Sequence, residues 1–241
     1  MTRPSNPQIN GSPYSKKLAF DFPIFEGGGS VLRDTVKPNN GTITATSQWV
    51  KDLYGNCLSF NGSSQKVTHN AFSLSAGEPF IFQALIKTST DGTDVMGVRQ
   101  GDPTQSGKMT QMRVQGGKIE FNHDFLADTT NNKATSATTV TDGKWHNIIC
   151  QYTGSQLQVF VDGKLDGVSG SLTTLALTLN TGWAIGTRPD FSAEWFSGRI
   201  SLVRAWKGRY FSVSEMISLY RDPWQIYTKP SMTPLNTGVF K

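Results

Sequence analysis

Residues 142 to 167, DGKWHNIICQYTGSQLQVFVDGKLDG, constrain the fold of this chain more than any other stretch. They read as two strands folded back on each other. The spacing predicts a first strand over Trp145 to Tyr152, with Trp145 opening an alternation that carries Ile148, Cys150 and Tyr152 on one side. Thr153-Gly154-Ser155 makes the turn. In the second strand Leu157, Val159 and Val161 face one way, and Gln156, Gln158 and Phe160 the other. Side chains alternate between sheet faces, so apolar residues at every second position around a short glycine-containing turn mark a hairpin. Asp162-Gly163 closes a second tight turn, because glycine takes positive φ freely and Asp can close an Asx-turn.

A hairpin needs further strands to pack on, and the rest of the chain supplies them. Short runs recur: KLAFDF (17–22), TITA (42–45), CLSF (57–60), QKVTH (65–69), TDVMGVR (93–99), KMTQMRVQ (108–115) and KIEFN (118–122). WAIG (183–186) and GRISLVRAWKG (198–208) follow late. In PFIFQALIK (79–87), Phe80, Phe82, Ala84 and Ile86 alternate with Ile81, Gln83, Leu85 and Lys87, and proline falls only at the first position, as a central strand requires. QGDPTQSG (100–107) and DTTNNKATSA (128–137) read as polar loops. One helix is predicted after Ser212-Val213-Ser214-Glu215, a capping box, with Pro223 as its stop. With 241 residues the chain can bury a full core. The expected class is all-β, many short strands joined by turns, with one short C-terminal helix.

Residues 1–16 and 228–241 read as extended arms, rich in Pro, Ser and Asn and without periodicity. They also hold the excess charge. The net charge is +5, and Arg3, Lys16 and Lys17 stand without an acid in the first 17 residues. Arg221, Lys229 and Lys241 face only Asp222 in the last 21, and the middle is balanced. The basic balance therefore does not point to a nucleic-acid face on the body. No apolar run approaches the ~18 residues of a membrane span. The start, MTRPSNPQINGSPYSKK, has no apolar core and does not read as a secretory signal. Cys57 and Cys150 lie among apolar neighbours and read as buried thiols. The sequence leaves a disulfide between them open, and without CxxC spacing they make a poor metal site.

Four stretches together resemble the laminin G-like domains of the concanavalin A-like superfamily, in the pentraxin-like branch found in bacterial and phage proteins. They are AFDF…RDTVKPNNGTI, YGNCLSFNGSSQKV, DGKWHNIICQYTGSQLQVFVDG and FSGRISLVRAWKGRYFSVSEMISLY, spread over residues 17 to 227. The resemblance implies a concanavalin A-like jelly-roll sandwich of two antiparallel sheets as one domain over residues 17–227. Cys150 stands where pentraxins also place a cysteine, but the strand at 79–87 lacks the expected partner.

The resemblance also raises calcium, which needs six to eight oxygens. Two positions where the family often carries an acid do not: Asn61-Gly62-Ser63-Ser64-Gln65 has none, and Ser201 stands after Ile200. Asp21, Asp34, Asp91 and Asp94 remain as candidate calcium ligands, against the ordinary use of Asp in turns. For a glycan, the best local cluster is TGWAIGTRPDFSAEWF, with Trp183 and Trp195 to stack on sugar faces and Arg188 and Asp190 to take hydroxyls, against the ordinary use of Trp in a core or as a loop anchor. Glycoside hydrolysis needs two converging carboxyls, and no alternating acid run supplies them; Glu120 and Asp124 are four apart near a strand end. His69, His123 and His146 have no zinc spacing. No catalytic residue and no obligatory cofactor are expected.

The function expected first is a non-catalytic structural or attachment component of a phage-like virion. It would be a homo-oligomer or part of a larger assembly, made in the host cytoplasm, with the arms docking on neighbouring protein subunits. The second is a soluble or cell-surface carbohydrate-binding, lectin-like module. A glycoside hydrolase is third.

Overall fold

The computed structural model describes residues 7–44, 48–70, 72–75, 77–99, 109–123, 132–172 and 181–228. Within them the chain forms β1 (Leu18–Phe22), β2 (Val31–Leu32), β3 (Gly41–Thr44), β4 (Gln48–Asp52), β5 (Gly55–Asn61), β6 (Lys66–His69), β7 (Phe80–Lys87) and β8 (Thr93–Arg99). It continues with β9 (Met109–Gln115), β10 (Lys118–His123), β11 (Lys133–Thr139), β12 (Trp145–Tyr152), β13 (Leu157–Val161), β14 (Lys164–Val168), β15 (Thr181–Ile185) and β16 (Ser197–Lys207). Helix α1 (Val213–Arg221) follows. The first sheet runs β14-β13-β12-β7-β16-β5-β4, with β1 also on β16. The second runs β11-β10-β9-β8-β15-β6-β3-β2. Strand β16 is long enough to hold β5 along its first half and β1 along its second.

Strand β7 shows why the first sheet sits in the middle of the molecule. Phe80, Phe82, Ala84 and Ile86 enter the core between the sheets. Ile81 and Leu85 point the other way, into a second apolar layer with Phe160, Leu202, Trp206, Met216, Leu219, Trp224 and Ile226. The helix and residues 224–227 thus cover the outer face of this sheet. Gln83, on the same face, donates to Asn147 Oδ1 at 3.1 Å, so its burial leaves the amide nitrogen paired. The capping box forms as expected: Ser212 accepts from the Glu215 amide, and Glu215 accepts from the Ser212 amide.

The hairpin pairs Ile148 with Val161, Cys150 with Val159 and Tyr152 with Leu157, all inward. Trp145 corrects the expected alternation. Position 145 has the parity of Ile149, not of Ile148, and it packs in the outer layer with its ring 5.4 Å from Tyr54. Residues 133–137, expected in a loop, belong to β11 on the edge of the second sheet. Ala134 and Ser136 point inward there while Lys133 and Thr135 face solvent, an alternation hidden by small polar residues. Both cysteines are buried and free.

The expected N-terminal arm is, from residue 7 on, part of the body. Ile9 pairs with Tyr227, and the Asn10 side chain donates to the carbonyls of Gln225 and Tyr227. Thr228 N donates to the Gln8 carbonyl, and the Trp206 indole donates to that of Tyr14. These contacts are made by the chain itself rather than by a neighbouring subunit. The rest of both arms, 1–6 and 229–241, lies outside the described residues. No helix among the described residues is long and apolar enough to cross a membrane.

Candidate functional site

The outer face of the second sheet carries the site. In β9, Met112 and Val114 turn inward, so Gln111 and Arg113 turn outward. In β10, Ile119 and Phe121 turn inward, so Glu120 and Asn122 turn outward. Register places Asp94 beside Arg113 and Arg113 beside Glu120. One step along, Gly97 stands beside Gln111 and Gln111 beside Asn122. Polar residues on an outer face are ordinarily wet, yet Asp94 is 0% exposed, Gln111 2% and Asn122 7%.

They are covered by the loop from 186 to 196, between β15 and β16. Gly186 N donates to the Val95 carbonyl, Asp94 N to that of Glu194 and Phe196 N to that of Gly186, which staples the loop over the sheet. Pro189 lies directly on Gly97, where a Cβ would come within 2.7 Å of both the Pro189 ring and the Thr110 carbonyl. Gly97→Val is therefore expected to lift the loop off the sheet, read as faster proteolysis between 187 and 195 together with loss of ligand binding. Unchanged proteolysis and binding would show that the contact is not what seats the loop. Phe191 and Glu194 hold positive φ, 63° and 55°, a conformation that costs a non-glycine residue about 1–2 kcal/mol and tends to persist at binding sites.

The cleft beneath the loop has a volume of about 300 Å³ and is lined by Met109, Gln111, Arg113, Asn122, Arg188, Asp190 and Glu194. Arg113 donates through Nε and Nη2 to Glu120 Oε1, and Lys133 donates to Glu120 Oε2. Burial works against this carboxylate, but these bonds hold it below its ordinary range. Arg188 Nε donates to Asp190 at 3.0 Å and its Nη2 to Ser192 Oγ at 2.6 Å. Burial raises the Asp190 carboxyl, and the Arg188 and Ser192 bonds more than offset it. Asp94 differs. Burial, then the adjoining Glu194 carboxyl, push it well above the usual carboxylate range. Among the described residues no donor reaches either of its oxygens, so its contact with Glu194 is a hydrogen bond only when one of the two carboxyls keeps a proton.

The residues expected from sequence divide. Arg188 and Asp190 line the cleft. Trp183 does not, because it follows the inward parity of Ile185 and is 2% exposed in the core, its indole donating to the Phe72 carbonyl. Trp195 is half-buried behind the loop, with the Lys66 ammonium 5.3 Å from its ring centre. Neither tryptophan lines the cleft. The four calcium candidates do not form a shell. Asp21 is fully buried and accepts from Arg204 Nε, Tyr227 OH and Thr35 Oγ1. Asp34 Oδ1 accepts the amides of Asp21 and Val36, an Asx-turn. Asp91 accepts the amides of Gly116 and Gly117 at the β9–β10 turn. Only Asp94 belongs to the cleft, where two guanidiniums face it, so these residues do not fit a calcium ion. Among the described residues no three His, Cys, Asp or Glu side chains are grouped to hold a metal. Asp124 lies outside the described residues. A larger hollow, about 610 Å³, is lined by Phe25, Glu26, Gly28, Gly29, Ser30, Val31 and Arg33, and Glu26 there accepts the Arg33 amide.

Two facing antiparallel sheets, with a polar cleft on one outer face, define a concanavalin A-like sandwich. Residues 61–215 match the profile of the concanavalin A-like lectin/glucanases superfamily, and the chain belongs to it. Solved structures share the fold at low identity. Trypanosoma rangeli sialidase, solved with sialic acid, superposes with a TM-score of 0.64 at 15% identity, over 93% of this chain and 37% of the sialidase. This chain thus spans little more than a third of that protein. Domain 4 of an extracellular arabinanase from Geobacillus stearothermophilus, solved with arabinotriose, gives 0.60 at 17% identity, over 85% of this chain and 98% of the domain. The binding domain of Paraclostridial Mosquitocidal Protein 1 gives 0.57 at 12%, over 85% of this chain and 52% of that one. A search of curated proteins finds no match.

Proposed function

We propose that the protein is a non-catalytic glycan-binding module whose ligand lies in the cleft of Gln111, Arg113, Asn122, Arg188, Asp190 and Glu194. One observation carries this reading. Oxygens on the outward sheet face and on the loop above it are buried and unpaired, Gln111 Oε1, Asn122 Oδ1 and Glu194 Oε2 among them. Each such atom costs about 1–3 kcal/mol unless a partner arrives, and sugar hydroxyls are partners of the right kind. The arabinanase domain of like extent, solved with arabinotriose, supports the reading by analogy of fold.

Hydrolysis calls for two carboxyls flanking the bond, about 5 Å apart or more. Asp94 is fully buried and adjoins Glu194, and Glu120 is tied to Arg113 and Lys133. The reading therefore gives none of them acid–base work. An outward-facing module of this kind also suits the attachment role in a phage-like particle expected from the sequence.

A glycan array followed by calorimetry on the best binder tests the proposal. Arg188→Ala is expected to weaken binding about tenfold or more, because it frees Asp190 and opens the loop. Its melting curve guards against simple unfolding. Absence of any glycan binder, or a binder indifferent to both Arg188→Ala and Asn122→Ala, would sink the reading.

A further inference from the structure

We propose that the cleft holds its sugar through a primary ammonium group, so that its ligand is an amino sugar rather than a neutral or acidic one. This rests on the glycan-binding reading and narrows it. Every buried side-chain atom left unpaired at the cleft is an oxygen: both of Asp94, Gln111 Oε1, Asn122 Oδ1 and Glu194 Oε2. The Nε and Nη2 donors of both guanidiniums are engaged, those of Arg113 on Glu120 and those of Arg188 on Asp190 and Ser192. A carboxylate or sulfate on the ligand would bring only acceptors to a site whose buried unpaired atoms are acceptors. A hydroxyl brings one donor. An ammonium brings three donors and no acceptor.

Charge points the same way. The charged groups lining the cleft are Arg113 from β9 and Arg188, Asp190 and Glu194 from the loop, and Asp94 from β8, Glu120 from β10 and Lys133 from β11 stand against them. Arg113 and Lys133 share Glu120, and Arg188 is paired with Asp190, so that three cations stand against the four carboxyls named. That leaves the Asp94–Glu194 pair without a full counter-charge. Arg113 and Arg188 both approach Glu194 through the same oxygen, Oε1, at 3.6 and 3.8 Å. Oε2 stays open. A cation seated there meets the free oxygen, lets both carboxyls stay charged, and forms charge-assisted bonds stronger than a hydroxyl can make.

Calorimetry on the full chain with oligomers of one length tests this: a glucosamine oligomer with free amines, its N-acetylated form, a neutral glucose oligomer and a uronic acid oligomer. The free-amine oligomer is expected to bind about tenfold or more tighter than the N-acetylated and neutral ones, with the uronic acid oligomer weakest. Glu194→Gln, which keeps the shape and removes the charge, is expected to abolish that preference. Gln111→Ala, which removes an uncharged acceptor, is expected to weaken the amine ligand while keeping the order. If the neutral or N-acetylated oligomer binds as tightly as the amine and still needs Arg188, the amine proposal falls and the glycan-binding reading stands. If no sugar of any class binds here or on the array, both fall.

Discussion

Arg204→Ala is expected to cost about 3–5 kcal/mol of folding stability, read as a lowered midpoint in denaturant. Arg204 lies on β16 with no exposed surface. Its Nε donates to Asp21 Oδ1 at 2.9 Å, Nη1 to the Pro223 carbonyl at 2.8 Å and Nη2 to the Tyr227 hydroxyl at 3.2 Å. One side chain thus joins β1, β16 and the segment after the helix. Without it, Asp21 stays buried and charged, with only the Tyr227 and Thr35 hydroxyls left as side-chain donors. The loss comes from that stranded charge more than from the missing attraction. Pairing Arg204→Met with Asp21→Leu should recover much of the stability, since an apolar pair often substitutes for a buried ion pair. A double variant as unstable as the single one would show that packing around the guanidinium, not charge, decides the matter.

The second large effect is a loss of stability in acid that His69→Phe removes. His69 lies in the core among Phe20, Phe22, Phe72 and Trp183, with neither ring nitrogen paired. Burial pushes its imidazole down to about 3. The unfolded chain takes up this proton near the ordinary value of about 6.5, the folded chain only near 3. The neutral histidine's contribution is therefore whole above about pH 6.5 and lost as pH falls toward 3, at about 1.4 kcal/mol per pH unit. His123, pushed down by burial to about 4, adds the same sign over a narrower window. Asp34, raised by burial to about 6, works the other way between its ordinary value and 6. The difference between wild-type and His69→Phe stability curves isolates the histidine. It should be flat above pH 7 and widen in favour of the variant below. A difference that stays constant down to pH 4 would contradict the burial argument.

Much of this fold was legible in the residues. The parity of Phe80 to Ile86 and of Leu157 to Val161, and the Ser212–Glu215 box, read the same in sequence and in space. Arg188 and Asp190 were legible because they are neighbours in a loop with no apolar period. Gln111, Arg113, Asn122 and Glu194 were not, because they come from two strands and a loop and meet only through register. A signal was present nonetheless: in TDVMGVR, MTQMRVQ and KIEFN the polar side chains share the face opposite the core. Trp183 was open to two readings, a sugar platform or a core tryptophan, and its place in β15 sends it inward.

Residues 8 to 10 run beside residues 225 to 228 on the layer that covers the first sheet, while the cleft opens on the outer face of the second. Both ends of the described body therefore leave from one pole, and the cleft looks out from the opposite one, with two packed sheets about 10 Å apart between them. Cargo joined at either end would hang behind the cleft. The same geometry suits the domain to immobilisation, display or permutation, since a short linker between residues 7 and 228 would close the chain without crossing the cleft.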